Sequence, residues 1–342
     1  MIDLLIAGGG PAGLATAIHG ALAGLEVVVV EPRPTPIDKA CGEGLMPGAV
    51  RRLLELGVPV AGQPFRGIRY VDGVNGRHAE GLFRSGPGLG ARRTVLQAAL
   101  AERAAQLGVR VVRQRVDQVH QDVHQVSAAG LTARYLVAAD GLHSPVRRGL
   151  GLSAPAAPRR PARYGLRRHY EVAPWSDLVE VHWSARCEAY VTPLGPDRVG
   201  VAVLTAEQAP FDVQLARFPL LAERLGAGAA GTPVRGAGPL RQGARVRVAG
   251  RVLFVGDAAG YVDALTGEGL TLAVTAAGEL VRCVRAGRPQ AYEQAWRDLS
   301  RSYRTLTASL LWARHQPRLA PRIVPLAARL PRVFTGAVNL LA

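Results

Sequence analysis

Lysine is nearly absent from this 342-residue sequence: Lys39 stands alone among 42 basic residues, the rest being arginine. Against 26 acidic residues this leaves a net charge of +16, a balance that ordinarily suggests nucleic acid or an anionic membrane surface. No aromatic residues interleave with a basic block and no nucleic-acid module signature appears, so no nucleic-acid partner is expected. The arginine excess reads as codon bias, with part of the charge left over for anionic cofactors or lipid headgroups. Cysteine is scarce too. Cys41, Cys187 and Cys283 are isolated and lack C-x-x-C spacing, which argues against a disulfide framework and a structural zinc site. The N-terminus has no basic region or small-residue cleavage site before its apolar run, so a cytoplasmic location is expected. There is no tandem repeat, low-complexity linker or nucleophile elbow. His120 and His124 have a helical metal-ligand spacing but sit in a strand-and-turn region that separates them, so no metal is expected.

What is present is a chain with 48% apolar residues, enough to build about two domains. Ile2–Ala7 reads as a buried strand, Pro11–Ala23 as a helix and Glu26–Val30 as a second buried strand, a βαβ unit. Residues 93–107 have helical spacing, while Tyr135–Ala139 and Val252–Val255 are short buried strands ending in Asp140-Gly141 and Gly256-Asp257. Between them, residues 67–71, 178–183, 189–192 and 199–204 alternate as strands do. The expectation is an α/β fold: a Rossmann-type domain from residues 1–60, 85–160 and 240–287, with an inserted antiparallel-sheet substrate domain from 61–84 and 161–239. Trp296, Leu299, Tyr303, Leu306 and Leu310 then mark one helix face in a C-terminal helical region, 288–342, which prolines 317, 321, 325 and 331 break up.

Gly8, Gly10 and Gly13 spell G-x-G-x-x-G between strand and helix, where the pattern gains meaning. The first permits a tight turn, the second lets a pyrophosphate approach the backbone, and the third lets helix and strand pack closely. Pro11 and Ala12 open the helix. Glu31 ends the second strand where an acid is expected to accept from a ribose 2′-hydroxyl, with Arg33 nearby. Gly226, Gly228 and Gly231 repeat the pattern but follow a helix-like segment, so they read as a loop; a second dinucleotide site is not visible.

Two further motifs specify the dinucleotide. Asp140-Gly141-Leu142-His143-Ser144-Pro145-Val146-Arg147 resembles the D-G-x-x-S-x-x-R of FAD-dependent hydroxylases, halogenases and geranylgeranyl-reductase-like flavoproteins. Gly256-Asp257-Ala258-Ala259 resembles their G-D-A-A element, which places Asp257 on the ribityl chain. Arg93 with Leu96 and Leu100 matches the start of a helix near the FAD phosphates, and Pro193 stands in a familiar Y-x-x-P context. Thr266-Gly267-Glu268-Gly269-Leu270 resembles the loop at the flavin pyrimidine edge. Lys39-Ala40-Cys41-Gly42-Glu43-Gly44-Leu45 resembles the C-G-x-G-L loop of the reductase-like members, where it lies beside the flavin, and Lys39 is a candidate to lower the Cys41 pKa. The resemblance implies bound FAD, with NAD(P)H docking transiently as reductant.

Cys41, Glu43, His169 and Tyr190 are the candidate catalytic residues, and His169, Tyr170, Trp183 and Tyr190 suit an apolar or lipid-tailed substrate over the flavin. The first expectation is a monooxygenase acting on a phenolic or polyketide-type substrate. The alternatives are a reductase of isoprenoid or quinone-tail double bonds, which the Cys41 loop favours, and a non-catalytic flavin-binding protein. Segment 317–342 mixes apolar residues with Arg318, Arg322, Arg329 and Arg332; its longest uncharged run is shorter than the ~20 residues a span needs. Peripheral contact with the inner face of a membrane is therefore expected of it.

Overall fold

The computed structural model describes residues 1–155, 161–226 and 229–340. Val27–Val30 is four consecutive valines, all buried. A strand apolar on both faces belongs inside a parallel sheet covered by helices. It pairs in parallel with Ile2–Ala7, Leu5 opposite Val28, and Ile2–Ala7 pairs in parallel with Leu131–Ala138, Leu5 opposite Leu136. Val252–Phe254 and Arg110–Val112 extend the sheet on either side, again in parallel. The helices Pro11–Leu22 and Gly269–Arg285 pack against each other over this sheet, with Gly278 of the second leaving room for the His19 ring of the first.

The second sheet has seven strands, ordered Arg235–Ala237, Tyr164–Tyr170, Arg198–Thr205, Cys187–Gly195, Val179–Trp183, Gly67–Asp72 and His78–Leu82. It is antiparallel apart from one pair: Gly67–Asp72 runs parallel to Val179–Trp183, Tyr70 opposite Val181. Strand alternation divides its faces. Cys187, Ala189 and Val191 enter a core with Phe211, Phe218 and Leu221, while Tyr190, Val181 and Leu204 belong to a core on the other face. Tyr170 packs on Phe211 in the first of these, so it is turned away from the face expected to meet substrate; one step along the strand reverses the direction of a side chain.

The helix Ala291–His315 is the long helix expected of the C-terminal region. Its buried face includes Trp296 and Tyr303 but also Ser300, Thr307 and Arg314, whereas Leu306 and Leu310 are only half-buried. Arg314 pairs with Glu188 of the second sheet, which also accepts from Arg163 at 2.7 Å; Arg163 in turn reaches Asp263 at 2.9 Å. This buried network fixes the helix to the sheet and to the segment before the Thr266 loop. After Pro317 come a short turn and the helices Ile323–Arg329 and Pro331–Asn339, the latter seating Phe334 and Val338 against Gly81. Gly226 ends a helix at φ 61° and Gly231 packs on Glu171, as a loop would, while Gly228 lies outside the described residues.

Candidate active site

A cleft of about 340 Å³ runs between the two sheets, from the first glycine turn to the apolar face of the second sheet. Gly10, Pro11, Ala12, Arg33, Cys41, Gly42, Glu43, Arg93, Asp140, Gly141, Gly256, Asp257, Gly267, Gly269, Leu270 and Tyr190 all line it. Motifs scattered over most of the chain thus converge on one space.

Gly8, Gly13 and Glu31 stand behind that surface rather than on it. A Cβ on Gly13 would lie 1.9 Å from the Gly8 carbonyl oxygen, and one on Gly8, at φ 112°, 2.5 Å from that of Ala139. Both are needed for the close strand–helix approach. Gly10 differs: a Cβ there would meet only Arg93 Nη2, at 3.9 Å, so its backbone is open to a ligand. Glu31 is 4% exposed and already engaged. It accepts from Gly9 N at 2.9 Å and from Arg33 N, Nε and Nη2 at 2.7–3.0 Å. Burial would raise its pKa, but Arg33 and the Gly9 N–H outweigh this and hold it below the usual carboxylate range. In this arrangement Arg33, clamped by Glu31, is the group presented to the cleft.

Asp140 begins the next turn, where its Oδ2 accepts from Val146 N at 2.9 Å in the first turn of a short helix that Ser144 caps. Burial pushes its pKa up against those bonds, and Oδ1 is buried without a protein partner. Arg93 Nη1 is in the same condition, and its burial lowers its pKa. Arg93 opens the Arg93–Gln106 helix, whose Leu96 and Leu100 are buried. A buried guanidinium and a buried carboxylate, both with an unmet bonding atom and both lining one cleft, form a donor–acceptor set suited to a phosphate and sugar hydroxyls. The open Gly10 backbone and the first turn of the Gly269–Arg285 helix, whose leading N–H groups have no intrahelical acceptor, complete a fit to FAD.

Arg147, the last residue of the Asp140 motif, does not line the cleft. It is 1% exposed and binds the carbonyls of Leu142, Asp257 and Ala258 at 2.9, 3.3 and 2.8 Å. It fastens the two motifs to each other.

The Cys41 loop crosses the middle of the cleft. Thr192 Oγ1 donates to Gly42 O at 2.8 Å, and Glu43 N donates to Cys41 Sγ at 3.4 Å. Burial pushes the thiol pKa up, and Arg93 opposes this more weakly. The expected lowering by Lys39 is not found, because Lys39 Nζ reaches over Gly141 and desolvation dominates. His169 is also displaced from expectation: 1% exposed, it sits behind Glu43 and bonds to it. Trp183 packs on Tyr70 and does not line the cleft. Phe65, Tyr70 and Tyr261 do line it and were not identified from sequence. The Ile68-x-Tyr70 alternation was a usable signal for Tyr70.

Residues 1–185, more than half of the chain, match the family described as FAD binding domain. The chain belongs to that family. It is 29% identical to a menaquinone reductase of Mycolicibacterium smegmatis over 99% of its own length and 91% of that protein's. It is 30% identical to a rifampicin monooxygenase of Streptomyces venezuelae over 47% of its length and 36% of that protein's. The structure of the flavin-dependent brominase Bmp2 superposes with a TM-score of 0.84 at 20% identity, covering 99% of this chain and 93% of that one. Its fold is that of FAD-binding flavoproteins, and the chain is an FAD-dependent oxidoreductase. Among the described residues no helix is long and apolar enough to cross a membrane.

Proposed function

We propose that this oxidoreductase reduces a carbon–carbon double bond in an isoprenoid or other lipid-tailed substrate, with NAD(P)H as the source of electrons. The observation that carries this reading is the character of the cleft beyond the Cys41 loop. Ile68, Val179, Val181, Leu204, Leu240 and Leu265 face it, and two of the polar tips among them are already engaged: Tyr190 donates its hydroxyl to Leu265 O at 2.9 Å and Thr192 to Gly42 O. A phenol needs partners to orient its oxygen, whereas a polyene needs only shape and apolar surface. The menaquinone reductase match over nearly the whole chain supports this reading over oxygen insertion, since the monooxygenase match spans less than half.

When bound, reduced FAD supplies two electrons as a hydride. Arg93, Asp140, Asp257 and the Gly10 turn hold the cofactor, the aliphatic wall aligns the tail and excludes water, and a protein group supplies the proton.

Holoenzyme reduced without oxygen and mixed with a polyprenyl quinone should give a product that, after its ring is reoxidised to the quinone, is still two hydrogens heavier, with the added mass in the polyprenyl fragments of its mass spectrum. A product one oxygen heavier, formed only in air, would return the assignment to a monooxygenase, and no product under either condition would favour a non-catalytic flavin protein.

We also infer that the C-terminal helices dock on an anionic bilayer. Leu326, Leu330, Val333 and Leu340 are 46–74% exposed, Arg318, Arg322, Arg329 and Arg332 are exposed beside them, and no acidic residue follows Asp298. An apolar surface with one sign of charge complements anionic headgroups. Val338 of the same segment lines the cleft, so a docked tail would bring the membrane next to the substrate wall.

A further inference from the structure

A line of hydrogen bonds leaves the cleft towards the edge of the second sheet. Glu43 lines the cleft and is otherwise buried. Its Oε2 lies 2.6 Å from His169 Nε2, and His169 Nδ1 lies 3.1 Å from Thr232 Oγ1. Thr232 is half-buried between Gly231 and Pro233, which are exposed. Three side chains therefore join the cleft to solvent at the edge of the sheet, where Gly231 and Thr232 lie alongside His169.

The surroundings fix the direction of these bonds. Arg167 Nη1 lies 3.4 Å from His169 Nδ1, and a guanidinium can only donate. Nδ1 therefore accepts, and Nε2–H points to Glu43. Arg167 also stands 4.0 Å from Glu43 Oε1, which accepts from Arg93 N at 2.8 Å. Asp38 balances Arg167 and Arg235, and Cys41 is the remaining titratable neighbour.

Two details go beyond what a loop clamp needs. Glu43 holds φ 59°, in the left-handed region that non-glycine residues seldom adopt, so its side chain is aimed here at some conformational expense. A Cβ at Gly200 would lie 3.2 Å from Glu43 Oε2, so glycine there leaves the carboxylate its space. Pinning a carboxylate needs one donor, whereas here the donor's second ring nitrogen is connected onward to a partly exposed hydroxyl.

We propose that Glu43, His169 and Thr232 form a proton relay from solvent to the cleft, an inference that rests on the reductase reading for the identity of the final acceptor. As the π bond breaks, hydride forms a C–H bond at one carbon, and the other carbon takes the proton of Glu43. The carboxylate left behind takes the proton on His169 Nε2 while Nδ1 takes one from solvent through Thr232; the imidazole then carries its proton on Nδ1, and a half-turn of the ring restores the Nε2–H that faces Glu43 before the next cycle. Glu43 is then a catalytic residue, and His169 and Thr232 are positioning residues that act through it.

The test has two arms, both on holoenzyme. In the first, bound flavin is photoreduced without substrate while infrared difference spectra are taken in H₂O and D₂O. Electrons entering the cleft should draw a proton onto Glu43, seen as a carboxylic C=O band that shifts in D₂O and vanishes in Glu43→Gln. In the second, His169→Gln keeps a donor to Glu43 but cannot relay a proton. It should lower kcat on the order of 10²-fold and change the pH profile, with KM and FAD affinity unchanged. Thr232→Val should slow turnover and Thr232→Ser restore it. Wild-type kcat in His169→Gln would overturn the relay, as would absence of the infrared band. Parallel loss of FAD affinity and thermal stability in His169→Gln would show a clamp instead. If the wild type reduces no lipid, the reductase reading fails, and the infrared arm still decides whether Glu43 takes up a proton.

Discussion

Arg147 donates from Nη1 to the carbonyl oxygen of Ala258 at 2.8 Å, across 111 residues of sequence. With its bonds to Leu142 and Asp257, this makes a residue outside the cleft responsible for the spacing of the two acidic turns within it. Arg147→Ala would leave three carbonyls without their charged donor. We expect a loss of about 3 kcal/mol of stability or more, since bonds to charged groups contribute roughly 1.5–3 kcal/mol each. Urea unfolding of the apoprotein would measure it, and a loss under ~0.5 kcal/mol would contradict the fastening role.

Asp257 faces the cleft from the turn that Arg147 holds. Asp257→Ala should remove a charge-assisted bond to the cofactor, roughly 1.5–3 kcal/mol, and weaken FAD affinity by one to two decades. Flavin fluorescence titration reads this directly, and unchanged affinity would place the ribityl chain elsewhere.

Glu268 precedes the Gly269–Arg285 helix, and burial alone pushes its pKa up to about 8. Its folded pKa therefore lies above the unfolded value. The folded state binds the proton more tightly, so the contribution to stability is full below about 4.5 and falls as pH rises towards 8. Glu268→Gln has no charge to bury. Relative to wild type, its Tm should rise steadily between pH 5 and 8.5, and a difference that does not vary with pH would show Glu268 to be well solvated.

The arginine-rich tail can be tested in the whole protein. The full chain should float with anionic vesicles at low salt and less at high salt, because each arginine near the surface contributes on the order of 1 kcal/mol. Leu330→Glu with Val333→Glu changes only exposed positions, so the fold should survive while flotation is lost. Equal flotation with neutral vesicles, or none with anionic ones, would leave the tail as a cavity wall only.

The βαβ unit was legible because Val27–Val30 and Leu4–Ile6 are buried on both faces, which leaves a continuous apolar run in the sequence. The strand before Asp140 was only half legible. Leu131–Ala133 pairs with the hairpin strand Val126–Ala128 and has an exposed Thr132, so its polar positions concealed its length. Asp140, Asp257 and Arg93, singled out because their chemistry is local to a motif, all line the cleft. Alternation gave the strand that carries Tyr70, but its place in the cleft depends on the pairing of residues 67–72 with 179–183, and that of Phe65 on the pairing of residues 63–65 with 88–90, neither of which is local in sequence. Tyr170 was misplaced because its strand, Tyr164–Tyr170, was not among the alternating stretches read from sequence, so nothing showed which face its ring would take.

That long-range pairing also bears on the order of events during synthesis. Gly67–Asp72 and His78–Leu82 emerge about a hundred residues before Val179 can pair with the first of them, and Gly81 meets Val338 only after more than 250 further residues have been made. Until then both strands present apolar surface and unmet backbone groups, a state prone to aggregation. The parallel sheet has no such delay for its first pair, since Val27–Val30 follows Ile2–Ala7 closely. A ribosome-bound intermediate should therefore have its nucleotide half started and its substrate half still open, which makes residues 67–82 the stretch where a chaperone would be most needed.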